Sequence, residues 1–85
     1  MKAETIKEAI NKQPFEPFSL RMGSGDVIPV KHPEFAFLTP SGRTLYVVLL
    51  GPDAPAGDEY TKILDTMLIE SIENRINGSA NGDAA

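Results

Sequence analysis

Leu45-Tyr46-Val47-Val48-Leu49-Leu50 is the longest uninterrupted apolar run in the chain. At six residues it falls far short of the roughly 20 that a membrane-crossing helix needs, and its β-branched and aromatic content marks Thr44 to Leu50 as a strand. Successive side chains on a strand point to opposite faces, so this one is apolar on both. One face can line a core. The other must be covered by a helix, by another sheet or by a second subunit.

Chain size sharpens that demand. Eighty-five residues make one small domain that buries only about 60% of its unfolded surface, and with no cysteine there is no disulfide or thiolate metal site to staple it. Oligomerisation is the compensating device left to so small a core. The expectation is therefore a homo-oligomer, with Leu45, Val47, Val48 and Leu49 as the candidate self-association strand.

The flanking elements follow from spacing. Thr5 and Glu8 are spaced as a capping box, and Ile6, Ala9 and Ile10 fall at i, i+3, i+4, which predicts a short packing helix ended by Pro14. Gln13 to Phe18 is a stiff proline connector. Phe18, Leu20 and Met22 alternate with polar residues as a half-buried strand, Gly23-Ser24-Gly25-Asp26 turns, and Val27 to Lys31 returns, with Pro29 confining that strand to an edge or a bend.

Phe35 to Thr39 reads as a third strand with both phenylalanines on one face, and Pro40-Ser41-Gly42-Arg43 as the turn into Thr44. Gly51 to Asp58 is a long loop expected to be exposed and mobile. Tyr60 to Leu64 and Leu68 to Glu73 read as two strands around a tight turn at Asp65-Thr66-Met67. In the last of these Leu68, Glu70 and Ile72 share a face, with Ile69 opposite; a single helix from Asp65 to Ile76 would instead imply an α+β sandwich. Residues 1–76 are expected to form the single domain and 77–85 a disordered tail.

The net charge of −4 divides unevenly: residues 1–50 carry six Lys/Arg against five Asp/Glu, and residues 51–85 two against seven. Nucleic acid, whose binding needs clustered Lys and Arg, is disfavoured as a partner, and no membrane partner is expected. For a polyanion the candidate polar contacts are Lys31, His32 and Arg43. Nothing at the N-terminus has the pattern of a secretory signal, so a cytoplasmic location is the default expectation.

Catalytic chemistry has little to rest on. His32 is the only imidazole, a metal site usually needs three or four ligands, and Ser19, Ser24, Ser41 and Ser71 lie in no nucleophile motif. Gly23-Ser24-Gly25 opens a strand rather than a helix, so it reads as a hairpin turn, with a phosphate loop as the lesser alternative. The reading is a non-enzymatic chain with no catalytic residue, no metal and no cofactor. Alternation places Phe18, Phe35 and Phe37 in the core and leaves Phe15, between two prolines, open.

The order of elements, a short helix followed by about five closely spaced strands with a tight turn before the last, resembles small Sm-like or SH3-like barrels. Phe18 to Glu73 is similar in layout to bacterial Sm-like RNA chaperones. Where those proteins carry a lysine-histidine pair after the tyrosine of Tyr60 to Thr66, this chain has Thr61 and Lys62, and the usual glycine of the second strand is missing.

Gln13 to Phe18, Gly23 to Asp26, His32 to Phe35 and Gly42-Arg43 together resemble a group of short bacterial proteins of unknown function. That resemblance covers residues 5–74. It implies a fold and no activity. The expected architecture is mainly β (α+β), an N-terminal helix and a small five-stranded antiparallel barrel. The expected role is a self-associating protein-interaction module with an unknown protein partner, the alternative being an Sm-like RNA or single-stranded nucleic-acid binder.

Overall fold

The computed structural model describes residues 1–54 and 59–74. Helix α1 (Ala3–Asn11) is followed by strands β1 (Phe18–Met22), β2 (Val27–Val30), β3 (Ala36–Leu38), β4 (Thr44–Leu49), β5 (Tyr60–Asp65) and β6 (Ile69–Asn74). Single 3-10 turns occupy Pro33–Phe35, Gly51–Asp53 and Thr66–Leu68. All pairings are antiparallel, in two three-stranded sheets ordered β2-β1-β6 and β3-β4-β5.

The helix-then-strands architecture matches the sequence expectation; the closed five-stranded barrel does not. Among the described residues six strands form two separate sheets, and no ladder joins β2 to β3 or β5 to β6. The first break falls at Pro33, which has no N–H to donate and opens a 3-10 turn. The second falls at Thr66–Leu68, where the chain leaves one sheet for the other.

Both sheets feed one core. Phe18, Leu20 and Met22 of β1, Ile28 and Val30 of β2, and Ile69 of β6 meet Leu45, Val47, Leu49 and Leu64 from the second sheet, with Ile6 of α1 fully buried among them. β1, β2 and β4 follow the two-residue period that one buried face requires. β2 is an edge strand, as Pro29 demands. Phe15, left open by the sequence, is half-buried against Phe18 at a ring separation of 5.9 Å.

Several local expectations are corrected. The helix starts at Ala3 with Lys2 at its N-cap and no side-chain cap, so Thr5 lies inside it and the capping box does not form. Instead Thr5 and Ile6 donate their N–H groups to the Lys2 carbonyl. The loop after Leu50 is not wholly exposed: Ala54 is buried and Asp53 is ion-paired, while residues 55–58 and the expected tail 77–85 lie outside the described residues.

The last strand shows a parity change. Leu68 is exposed in the 3-10 turn and Ile69 is buried, with Ile72 packed on the same core. Residues three apart cannot share a face of a regular strand. A register shift opposite Arg21/Met22 supplies the extra residue, pairing Met22 with Ile69 and Leu20 with Ile72.

One junction holds helix, turn and strands together. Thr66, buried among these elements, donates its Oγ1 hydrogen to the Gly42 carbonyl at 2.7 Å, and its N–H bonds the Arg43 carbonyl at 3.0 Å. Gly42 has a positive φ of 76°, and a Cβ there would stand 2.6 Å from the Ala3 Cβ. The helix therefore sits directly on the β3–β4 turn.

Candidate functional site

β3 settles where the exposed chemistry lies. Its alternation is the reverse of the sequence expectation: Ala36 and Leu38 face the core and Phe37 points out, 61% exposed. Phe35 belongs to the preceding 3-10 turn, half-buried beside His32, with the ring centroids 5.2 Å apart and edge-on. Helix α1 packs against β3, and Ala36, Leu38 and Ile10 are packed against the core there.

The register then builds a row. Phe37 pairs with Tyr46 and Tyr46 with Ile63, so three apolar side chains stand side by side across the outer face of the β3-β4-β5 sheet. Tyr46 is 37% exposed and Ile63 65%, and the Phe37 and Tyr46 rings lie 6.4 Å apart. A second row holds Val48 paired with Thr61, and Phe35 shares a shallow cavity with Val48. On the other side a polar row runs Thr39, Thr44, Asp65. Asp65 is the one ionised group of these rows, and its carboxylate accepts the Met67 N–H at 2.9 Å.

The residues singled out from sequence are dispersed by the fold. Leu45, Val47 and Leu49 of the candidate self-association strand are buried in the core, and Val48 alone of the four lies on the outer face. β4 is the central strand of its sheet, so it offers no free edge. Lys31 and His32 lie beyond the end of β2, and the Lys31 ammonium pairs with Asp53 at 2.8 Å. Arg43 precedes β4 at its other end, about 20 Å of strand away from the Leu49 and Leu50 that border His32. The three do not form a cluster.

Sequence reasoning missed Phe37, Tyr46 and Ile63 as a site. A signal was present: the outward positions of β5 read Thr61, Ile63, Asp65, and the isoleucine breaks an otherwise polar face.

Elsewhere the molecule offers shallow concavities. A groove of about 420 Å³ runs between α1 and β3, lined by Lys7, Ile10, Asn11 and Leu38 among others, and a cleft of about 330 Å³ separates β2 from β5 beside Asp26, Tyr60 and Lys62. Among the described residues no three His, Asp or Glu side chains gather closely enough to hold a metal ion. The Arg21 guanidinium bonds Glu73 at 3.0 Å across β1 and β6, and that hydrogen bond, reinforced by the carboxylate's charge, raises the Arg21 pKa above its ordinary value. The pair is exposed and staples two strands.

No helix among the described residues is long and apolar enough to cross a membrane. No family model, curated protein or solved structure matches the chain.

Proposed function

We propose that this chain is a non-enzymatic protein-interaction module that self-associates, and that its contact surface is the outer face of the β3-β4-β5 sheet. The observation that carries the reading is the row Phe37, Tyr46, Ile63, two of whose three side chains are more than half exposed although a full core exists on the other face. Single exposed apolar residues are ordinary; a contiguous row bordered by Thr39, Thr44, Thr61 and Asp65 is the pattern of an interaction surface. We place the fold with small Sm-like or SH3-like barrels opened into two sheets. The short N-terminal helix, the all-antiparallel order and the 3-10 turn before β6 support that placement.

Light scattering coupled to size exclusion tests the reading on the full chain over roughly 10 μM to 1 mM. The expected result is a mass that rises from monomer to dimer with concentration, and a Tyr46→Lys variant that stays monomeric. A wild-type monomer throughout, or an unchanged mass for Y46K, overturns it. The same run detects the nucleic-acid alternative. Two tyrosines and no tryptophan give the protein little absorbance of its own, so a high 260 to 280 nm ratio that falls after a salt wash would mark bound polyanion.

A further inference from the structure

We infer that the free edge of β5 is a docking strand for an extended segment of a partner protein, which runs antiparallel to it with an acid opposite Lys62, an apolar residue opposite Ile63 and a base opposite Asp65. The inference rests on the protein-interaction half of the reading above and adds the edge, the register and the chemistry of the partner.

Backbone hydrogen bonds identify the edge. In an antiparallel ladder the N–H and C=O of one residue point to the same neighbouring strand, and those of the next residue point the other way. The Thr66 N–H bonds the Arg43 carbonyl and continues the β4–β5 register, so Lys62 and Leu64 turn their groups towards β4. The N–H and C=O of Thr61 and Ile63 and the N–H of Asp65 therefore point away from the sheet, and among the described residues they have no backbone partner.

The other three edges are guarded. The Met22 N–H bonds the Asp26 carbonyl, so in β2 it is Val27 and Pro29 that face outward, and Pro29 has no N–H. β3 has only three residues, and the Pro33 carbonyl takes its Ala36 N–H. β6 is bent by its bulge and carries Glu70 and Glu73 in the open. β5 has six residues, no proline and no register shift.

Side chains on β5 then select the occupant. Ile63 ends the Phe37, Tyr46, Ile63 row at the edge itself with one flank open, so an apolar residue opposite it carries the row onto a fourth strand. On the core-side face Lys62 stands opposite buried Val47, half-buried beside the cleft towards β2, with no ion-pair partner among the described residues. An inward lysine on an edge repels a wholly apolar strand and admits one that brings an acid. Asp65, exposed at the end of the outer face, takes a base in the same way. Along an antiparallel partner the order is base, any residue, apolar residue, acid. Main-chain bonds then hold the strand while the alternate side chains select it.

Nuclear magnetic resonance of the full isotope-labelled chain tests this in two steps. In the free chain the Thr61, Ile63 and Asp65 amides should exchange with water much faster than those of Lys62 and Leu64. Equal protection means that the edge is already covered and overturns the inference. The probe is then the end-blocked peptide Ser-Lys-Thr-Val-Glu-Thr-Ser, titrated to about 2 mM, which should slow exchange at the three outward amides. The charge-swapped peptide Ser-Glu-Thr-Val-Lys-Thr-Ser should bind at least about fourfold more weakly, since both charged positions then oppose like with like. N-methylation of the valine removes the N–H that the Ile63 carbonyl would accept and should abolish binding. Lys62→Glu, with its fold checked by circular dichroism, should erase the preference between the two sequences.

A matched peptide that leaves these amides unmoved, or that binds no better than its charge-swapped counterpart, overturns the inference. The two readings fail separately. A chain that stays monomeric yet protects its edge on adding the peptide loses self-association and keeps the docking strand. A chain that dimerises through Tyr46 and ignores the peptide does the reverse.

Discussion

Replacing Gly42 by alanine separates two physical effects that meet at one turn. The first is backbone strain: at φ 76° an L-residue with a Cβ costs about 1–2 kcal/mol relative to glycine. The second is steric. The new methyl would stand 2.6 Å from the Ala3 Cβ, where carbon atoms in contact prefer about 3.5–4.0 Å, so helix and turn must part by about 1 Å. Overpacking of this kind costs about 1–3 kcal/mol. The sum, about 2–5 kcal/mol, is a large share of the about 4–13 kcal/mol expected for 85 residues. Even the lower value should reduce Tm by at least about 8 °C. Urea unfolding followed by far-ultraviolet circular dichroism measures it.

Two controls divide the sum. Gly25→Ala meets the same strain, at φ 99°, with open space around its Cβ, and should cost only about 1–2 kcal/mol. Ala3→Gly removes the opposing methyl at a helix-propensity cost of up to about 1 kcal/mol, and in the double variant it should return the steric part of the G42A loss. A coupling energy of about 1–3 kcal/mol between the two positions is the expected outcome. If G42A costs less than about 0.5 kcal/mol, or the two changes simply add, the helix is not seated on this turn and the junction described above is wrong.

Other perturbations probe the rest of the frame. Thr66→Val keeps the shape but removes the hydroxyl from the Gly42 carbonyl, and should destabilise by about 1–3 kcal/mol in the same unfolding assay. Ile6→Ala opens a cavity where α1 meets the core and should cost about 2–5 kcal/mol, with loss of helical circular dichroism before the sheets unfold. For Arg21 the folded pKa is raised, so its contribution is fully present below the unfolded value and disappears only as pH climbs past the folded one, in strong alkali. The stability difference between wild type and Arg21→Gln should therefore be the same at pH 6 and pH 9 and should shrink in salt; a difference that changes between those pH values refutes the assignment.

The elements were legible in the sequence because each carries its own local signal. Phe18, Leu20 and Met22 alternate cleanly, Pro29 marks the edge, Gly42 marks the turn, and the Tyr60 and Leu68 runs fit strands around Asp65-Thr66-Met67. What failed was parity. In Phe35-Ala36-Phe37-Leu38 both alternating sets are apolar, so a period of two places them on opposite faces without saying which face is buried. Hydrophobicity favours the phenylalanines, but it is Ala36 and Leu38 that pack against the core. In Leu68-Ile69-Glu70-Ser71-Ile72 the bulge changes parity midway, which no strict alternation can encode.

The two parity failures differ in what they leave behind. The bulge in β6 repairs itself, since Ile69 and Ile72 both reach the core and only the turn residue Leu68 is left outside. The inversion of β3 puts its larger apolar side chain out beside Tyr46 and Ile63, on a face the core does not need. Phe37 and Ile63 are more than half exposed and lie outside the buried core, so the core does not require apolar side chains at these positions. A row at three registered positions on three strands is accounted for when something covers it. The sequence first posed that demand through the two-faced run from Leu45 to Leu50, and the fold moves its answer one residue along the strand, from the buried Leu45, Val47 and Leu49 to the outward Tyr46 and Val48 and their neighbours across the sheet.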